Sequence, residues 1–253
     1  MNNKYALITG ASSGIGKATA YKFASNGINL ILCARRIEKL QQIAEDISSQ
    51  FSVKVLFRQV DVRSKTNVLA FADFLEQESI IPYFLINNAG LASGKDKIYL
   101  GKYEDWDAMI DTNIKGLLHI TRTFLPKIVA ANEGQIINIG STAGHIVYPE
   151  GNVYNATKFA VKALNEAINL DLVGTNIKCC SIDPGACETE FSIVRFHGDE
   201  EKAKKVYEGY EPLNPENIAD VVWYVCNTPK NVNITNMVIY PLAQRNVFVI
   251  GKK

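Results

Sequence analysis

No block of like charge interrupts this chain. Its 27 Lys and Arg stand against 26 Asp and Glu, for a formal net charge of +1, so nothing in the charge pattern points to nucleic acid or an anionic membrane surface. No apolar run approaches the roughly 20 residues that a bilayer-spanning helix needs. A first strand expected from about Lys4 leaves no room for a signal peptide. The five cysteines (Cys33, Cys179, Cys180, Cys187 and Cys226) are odd in number and lack metal-type spacing. Most lie in apolar runs and read as small buried hydrophobes. Internal repeats, low-complexity stretches and linkers are also missing. The expectation is a reduced, cytoplasmic protein without metal, one domain over 1–253. A chain of 253 residues suits a single large α/β domain and is too short for two.

What is present is a repeated alternation of strand and helix. Tyr5–Thr9 is an apolar run that ends in Gly10-Ala-Ser-Ser-Gly14-Ile-Gly16, and a helical pattern follows to about Asn26. In that context Gly10 permits a tight turn, Gly14 lets the backbone approach a pyrophosphate, and Gly16 lets the helix pack close to the strand. Ile28–Ala34 reads as a second strand ending in Arg35-Arg36, with no acidic residue before Glu38. An acid at that place would accept from the ribose 2′-hydroxyl of NAD, whereas a cation pairs with the 2′-phosphate of NADP, so the expected cofactor is NADP. Further strands are expected at Val53–Val60, closed by Asp61-Val62, and at Tyr83–Ile86, running into Asn87-Asn88-Ala89-Gly90. A sixth is expected near Ile177–Ile182, before Asp183-Pro184-Gly185, and a last one at Asn236–Tyr240. This order predicts a single-domain, Rossmann-like, doubly wound parallel sheet with helices on both faces. From Trp106 to about Ala131 runs a long helical pattern that Pro126 is expected to end or kink. Asn113, a poor mid-helix residue, falls inside it.

The densest chemistry lies between Gly140 and Lys158. A buried strand, Gln135–Ile139, leads into Ser141; after a loop, Tyr154 and Lys158 sit four apart on one face of a helix. A neighbouring ammonium favours the phenolate and lowers the phenol's pKa. Tyr154 would then exchange a proton with a substrate oxygen that the Ser141 hydroxyl holds. Glu190–Tyr210 breaks the sheet pattern and reads as an insertion, at about 186–212, that lids the sheet edge.

Thr9-Gly10 through Gly16, Asn87–Gly90, Asn113, Ser141, Tyr154 with Lys158, and Pro184-Gly185 through Thr189 together resemble the short-chain dehydrogenase/reductase family over essentially the whole chain. The resemblance implies hydride transfer between a nicotinamide and an alcohol or carbonyl carbon, catalysed by Ser141, Tyr154 and Lys158, with Asn113 organising a proton relay. It implies cofactor contacts from Gly10, Ser12, Ser13, Gly14, Ile15, Gly16, Arg35, Arg36, Asp61, Val62, Asn88, Gly90, Tyr154, Lys158, Pro184, Gly185 and Thr189. Stretches such as Gly151-Asn-Val-Tyr154 and Glu190-Phe-Ser-Ile-Val-Arg-Phe-His-Gly-Asp199 resemble a branch that is NADP-dependent and acts on 3-hydroxy acids. The implied substrates are serine, L-allo-threonine and 3-hydroxyisobutyrate, with semialdehyde reduction in reverse. Arg195 is then expected to grip the substrate carboxylate, beside Ser141 and Tyr154, and His145 to fall in the loop facing the substrate. A homo-oligomer, most often a tetramer, is implied too, with Trp223 and the Ile239–Ile250 tail as interface material. The same mechanism on uncharged ketones, diketones or sugars is the alternative. A non-catalytic nucleotide sensor would have lost Ser141, Tyr154 or Lys158, and an epimerase or dehydratase would have a longer C-terminal part.

Overall fold

The computed structural model describes residues 4–252; of the expected span 1–253, residues 1–3 and 253 lie outside the described residues. The strands are β1 (Tyr5–Thr9), β2 (Asn29–Ala34), β3 (Val55–Gln59), β4 (Phe84–Asn87), β5 (Gly134–Ile139), β6 (Ile177–Pro184) and β7 (Asn236–Ile239). They form a sheet, parallel throughout among the described residues, in the order β3-β2-β1-β4-β5-β6-β7. Between them run α1 (Gly14–Ser25), α2 (Ile37–Gln50), α3 (Lys65–Gln77), α4 (Tyr103–Ile110), α5 (Leu117–Ala131) and α6 (Asn152–Asp171). The short α7 (Glu190–Arg195) and α8 (Glu200–Lys205) precede α9 (Pro215–Cys226).

Strand side chains alternate between two apolar layers because successive Cβ atoms point to opposite faces. Ala6, Ile8, Leu30, Leu32, Phe84, Ile86, Ile137 and Ile182 pack with Phe23 of α1, Leu40 and Ile43 of α2, and Ile218 and Val222 of α9. On the other face Leu7, Ile31, Leu85, Ile136 and Cys179 meet Val68 and Phe71 of α3, Phe124 and Ile128 of α5, and Ile168 of α6. Burial on both faces explains why the central strands read as continuous apolar runs. Trp223, expected at an interface, packs edge-on against Phe23 at 5.3 Å between ring centroids.

The long helical pattern holds with one change. Between α4 and α5, residues Asp111–Gly116 form a π-helical turn, the wider coil that accommodates an extra residue and re-aims a side chain. Asn113 sits in it, buried, so its amide need not compete for helix backbone bonds. Pro126 does not end the helix, which continues to Ala131. Pro126 and Arg122 both face solvent, where water can hydrate the carbonyl left without a partner, while Phe124 and Ile128 hold the inner face.

Candidate active site

The strand order reverses beside β1, with β2 and β3 to one side and β4 onward to the other. Loops leaving β1 and β4 therefore part and open a crevice at the carboxyl edge. A cleft of about 660 Å³ lies there. Gly10 and Gly14 adopt φ of +66° and +51°, a region that favours glycine. A Cβ on Gly16 would lie 2.4 Å from Asn88 Nδ2 and 2.6 Å from the Gly10 carbonyl oxygen. The turn is thus pressed onto the loop after β4, and Asn88 Nδ2 donates to the Thr9 carbonyl at 2.8 Å. Gly10, Ser12, Ser13, Gly14 and Ile15 line the cleft; Gly16 lies behind them at the helix packing. Ser13, the N-cap of α1, makes no side-chain cap bond and its hydroxyl accepts from Arg36 Nη2 at 2.7 Å instead. The amide groups of the first turn are thereby left for an anion, and this cradle fits a dinucleotide pyrophosphate.

At the end of β2, Arg35 and Arg36 both line the cleft. Arg36 donates from Nε and Nη2 to Ser12 Oγ at 3.2 and 3.0 Å and pairs through Nη1 with Glu190 at 2.7 Å. Asp61 and Val62 line the same end; the Arg63 guanidinium beside Asp61 holds that carboxyl below its ordinary value. Asn88 and Gly90 also line the cleft. Asn113 clamps the neighbouring loop, accepting from Leu91 N and donating to Leu91 O, both at 2.8 Å, and donating to Thr157 Oγ1 at 3.0 Å. A Cβ on Gly90 would lie 3.3 Å from Asn113 Oδ1 and 3.7 Å from Lys158 Nζ, so a side chain there would press on Asn113.

Ser141 leaves β5 in extended backbone and caps a short 3₁₀ turn, Thr142–Gly144, its Oγ accepting from Ala143 N at 3.1 Å. Tyr154 and Lys158 project from the first turns of α6 on one face, both buried. Burial pushes the Tyr154 phenol above its ordinary value and Tyr148 adds to the rise; a hydrogen bond with Ser141 and the Arg195 guanidinium act downward without overcoming it. The expected lowering of Tyr154 by Lys158 is therefore not what the chain's own groups produce. Lys158 Nζ stands 5.9 Å from the Tyr154 ring centroid and donates to the Ile139 carbonyl at 2.9 Å. Burial draws its pKa down to about 8, and Asp183 acts upward.

Pro184 ends β6. The Gly185 amide donates to Ile239 O at 2.7 Å, and Thr189 caps α7 by accepting from Phe191 N at 3.1 Å; all three residues line the cleft. Arg195, at the far end of α7, lies over the rings of Tyr148 (5.6 Å) and Tyr154 (5.7 Å). Its Nε and Nη2 are buried without a hydrogen-bond partner. A guanidinium cannot shed its charge at any ordinary pH, so two buried donors without acceptors are costly unless something fills the space. His145 turns away from the substrate side to Asp183, at 2.6 Å.

Sequence reasoning missed several groups. Thr9 Oγ1 accepts from the amides of Asn88 and Ala89 at 3.0 and 2.9 Å, a role its place at the end of β1 could have suggested. Lys39 and Glu190, paired at 2.8 Å, and the aromatic lining of Tyr148, Phe191 and Tyr207 join segments far apart in the chain and leave no local signal. Among the described residues, no group of three or more His, Cys, Asp or Glu could hold a metal. Among the described residues no helix is long and apolar enough to cross a membrane.

A doubly wound parallel sheet with a glycine-turned helix N-terminus at its switch point defines a nucleotide-binding α/β protein. The short chain dehydrogenase model matches residues 4–199, and the chain belongs to that family. It is 41% identical over 245 residues to an NADP-dependent 3-hydroxy acid dehydrogenase of Schizosaccharomyces pombe, covering 96% of this chain and 95% of that protein. It is 43% identical over 239 residues to a protein of the same description from Salmonella typhi, covering 94% and 95%. Among solved structures, the closed form of a serine dehydrogenase complexed with NADP+ superposes with a TM-score of 0.91 at 40% identity, covering 95% of this chain and 96% of that one.

Proposed function

We propose that this chain is an NADP-dependent oxidoreductase acting on small 3-hydroxy acids such as serine, L-allo-threonine and 3-hydroxyisobutyrate, and on the matching semialdehydes in reverse. Family membership and the descriptions of its relatives support the reaction class and the cofactor. The observation that carries the substrate class is Arg195, whose guanidinium lies over the Tyr154 ring and keeps two buried nitrogens unpartnered. A carboxylate is the natural acceptor for such a fork.

When bound, NADP would supply the hydride acceptor and a positive charge on its nicotinamide ring. The chain does the rest. The uncapped amides of α1 would hold the pyrophosphate, Arg35 and Arg36 the 2′-phosphate, and Asp61 and Val62 the adenine end. Asn88, Gly90, Pro184, Gly185 and Thr189 close round the remainder. Ser141 and Tyr154 hold the substrate hydroxyl, and Tyr154 Oη takes its proton. The phenol must come down from its raised position to do this, and Ser141, Arg195 and the cofactor's charge act in that direction. Lys158, fixed by the Ile139 carbonyl, orients the nicotinamide ribose, and Asn113 fixes the Leu91 loop beside it. Segment 186–212 acts as the lid, carrying Arg195 over the substrate in a single domain.

The same reading includes a cytoplasmic, homo-oligomeric protein, a tetramer. Five free thiols suit a reducing compartment. The tail's exposed Leu242, Phe248 and Val249 suit a subunit contact. The test is NADP reduction, followed by absorbance, with L-serine, L-allo-threonine and 3-hydroxyisobutyrate against a carboxylate-free alcohol of similar size. Turnover confined to the acids is expected; turnover of the neutral alcohol alone would discard the substrate class.

A further inference from the structure

One anion already sits at the mouth of the nucleotide cleft, and it belongs to the chain. Glu190 Oε2 lies 2.7 Å from Arg36 Nη1 and its Oε1 lies 2.8 Å from Lys39 Nζ. The Arg36 fork is fixed from its other side by Ser12 and Ser13 of the glycine turn. Two cations around one carboxylate, one of them held in place by the serines of the glycine turn, form a donor set that a phosphate monoester would use equally well. We propose that Glu190 occupies the place of the cofactor's 2′-phosphate, that a phosphorylated nucleotide must displace it from Arg36 and Lys39, and that Glu190 thereby weakens the preference for NADP over NAD.

Charge decides between displacement and sharing. A phosphate monoester brings a charge of about −1.5 to −2 near neutral pH, and the Glu190 carboxylate adds another. Burial pushes the Glu190 carboxyl up, but the bonds from Lys39 and Arg36 outweigh it and hold the pKa at about 2. The phosphate and the Glu190 carboxylate would compete for the same Arg36 and Lys39 donors, and even with Arg35 nearby the two anions would stand in contact, so one leaves. The three side chains are 41–45% exposed, and ion pairs so wetted are weak. Displacement is therefore easy, and Glu190 biases binding without blocking it. An NAD ribose carries a neutral hydroxyl, which a retained Glu190 accepts as a hydrogen-bond donor, so the unphosphorylated nucleotide meets no such competition.

This inference rests on the NADP reading, and the test separates the two. Isothermal titration calorimetry of adenosine 2′,5′-bisphosphate and of 5′-AMP, at fixed ionic strength, compares wild type with E190Q without substrate or turnover. The bisphosphate is expected to bind about 3- to 10-fold tighter to E190Q, with 5′-AMP changed by less than about twofold. E190D, which keeps the charge but shortens its reach to Lys39, is expected to shift the same way by less. Bisphosphate binding that is unchanged or weaker in both variants, or an equal shift for both nucleotides, overturns the role of Glu190. A wild type and variants that all fail to favour the bisphosphate over 5′-AMP overturn the NADP reading and this inference together.

Discussion

The two walls of the cleft are built on opposite plans. On the nucleotide wall the groups that face the ligand are mostly backbone, made available by small residues. Gly10 and Gly14 turn the chain, Gly16 presses against Asn88, and the first turn of α1 keeps its amides uncapped. On the substrate wall side chains from distant segments do the work. Tyr154 comes from α6, Tyr148 from the loop before it, and Arg195 from α7, which is anchored to the opposite loop by Gly94 N donating to Arg195 O at 2.9 Å. A backbone site can tolerate few changes and binds a ligand many proteins share. A side-chain site changes its ligand one substitution at a time.

That contrast orders the expected effects of breaking each wall. Tyr154→Phe removes the proposed proton acceptor while leaving the ring to pack against Phe191. It should lower kcat by about 10²- to 10⁴-fold with nucleotide binding kept, as titration of NADP into the variant would show. Arg195→Met should lower kcat/KM for the hydroxy acids by roughly 10- to 100-fold, the worth of a charged hydrogen bond. Turnover of a carboxylate-free alcohol should change little, and an equal loss on both would remove Arg195 from substrate recognition. Gly16→Ala puts a methyl within 2.4 Å of Asn88 Nδ2 and 2.6 Å of the Gly10 backbone oxygen. A loss of roughly 1–3 kcal/mol in urea unfolding is expected, together with weaker NADP binding; unaltered unfolding and binding would mean that the turn yields.

The smallest effect is a slope. Lys158 is lowered from 10.5 to about 8 by burial, so between those values the unfolded chain binds more protons and stability rises with pH. Buried thiols such as Cys33, raised from 9.0 to about 12, act the opposite way above pH 9. The measurement is therefore the difference between wild type and Lys158→Met in thermal unfolding at pH 7.5–10 (about the window those two pKa values span). Wild type should gain on the variant as pH rises, and parallel curves would show that Lys158 is not driven towards neutrality.

The nucleotide wall was largely legible in the sequence, because glycine spacing and apolar runs are local signals. The alternation from Tyr5 to Asn88 carried the sheet, and the Tyr154–Lys158 spacing carried the shared helix face. Legibility fell where contacts span the fold. The ties from Glu190 back to Arg36 and Lys39, and from His145 to Asp183, join residues 38 to 154 positions apart. The π turn at Asp111–Gly116 had only the oddity of an asparagine in a helix to mark it. Pro126 does not end its helix for a related reason: propensity describes an isolated helix, and two core residues on its inner face outweigh it.

The most direct test of the account follows one atom. L-Serine carrying deuterium at C3 is incubated with the protein and NADP, and the NADPH formed is examined by mass spectrometry. The account predicts one deuterium per NADPH, formed from the hydroxy acid and negligibly from an equally labelled alcohol without a carboxylate. NADPH without label, or label arriving at the same rate from the neutral alcohol, would contradict it.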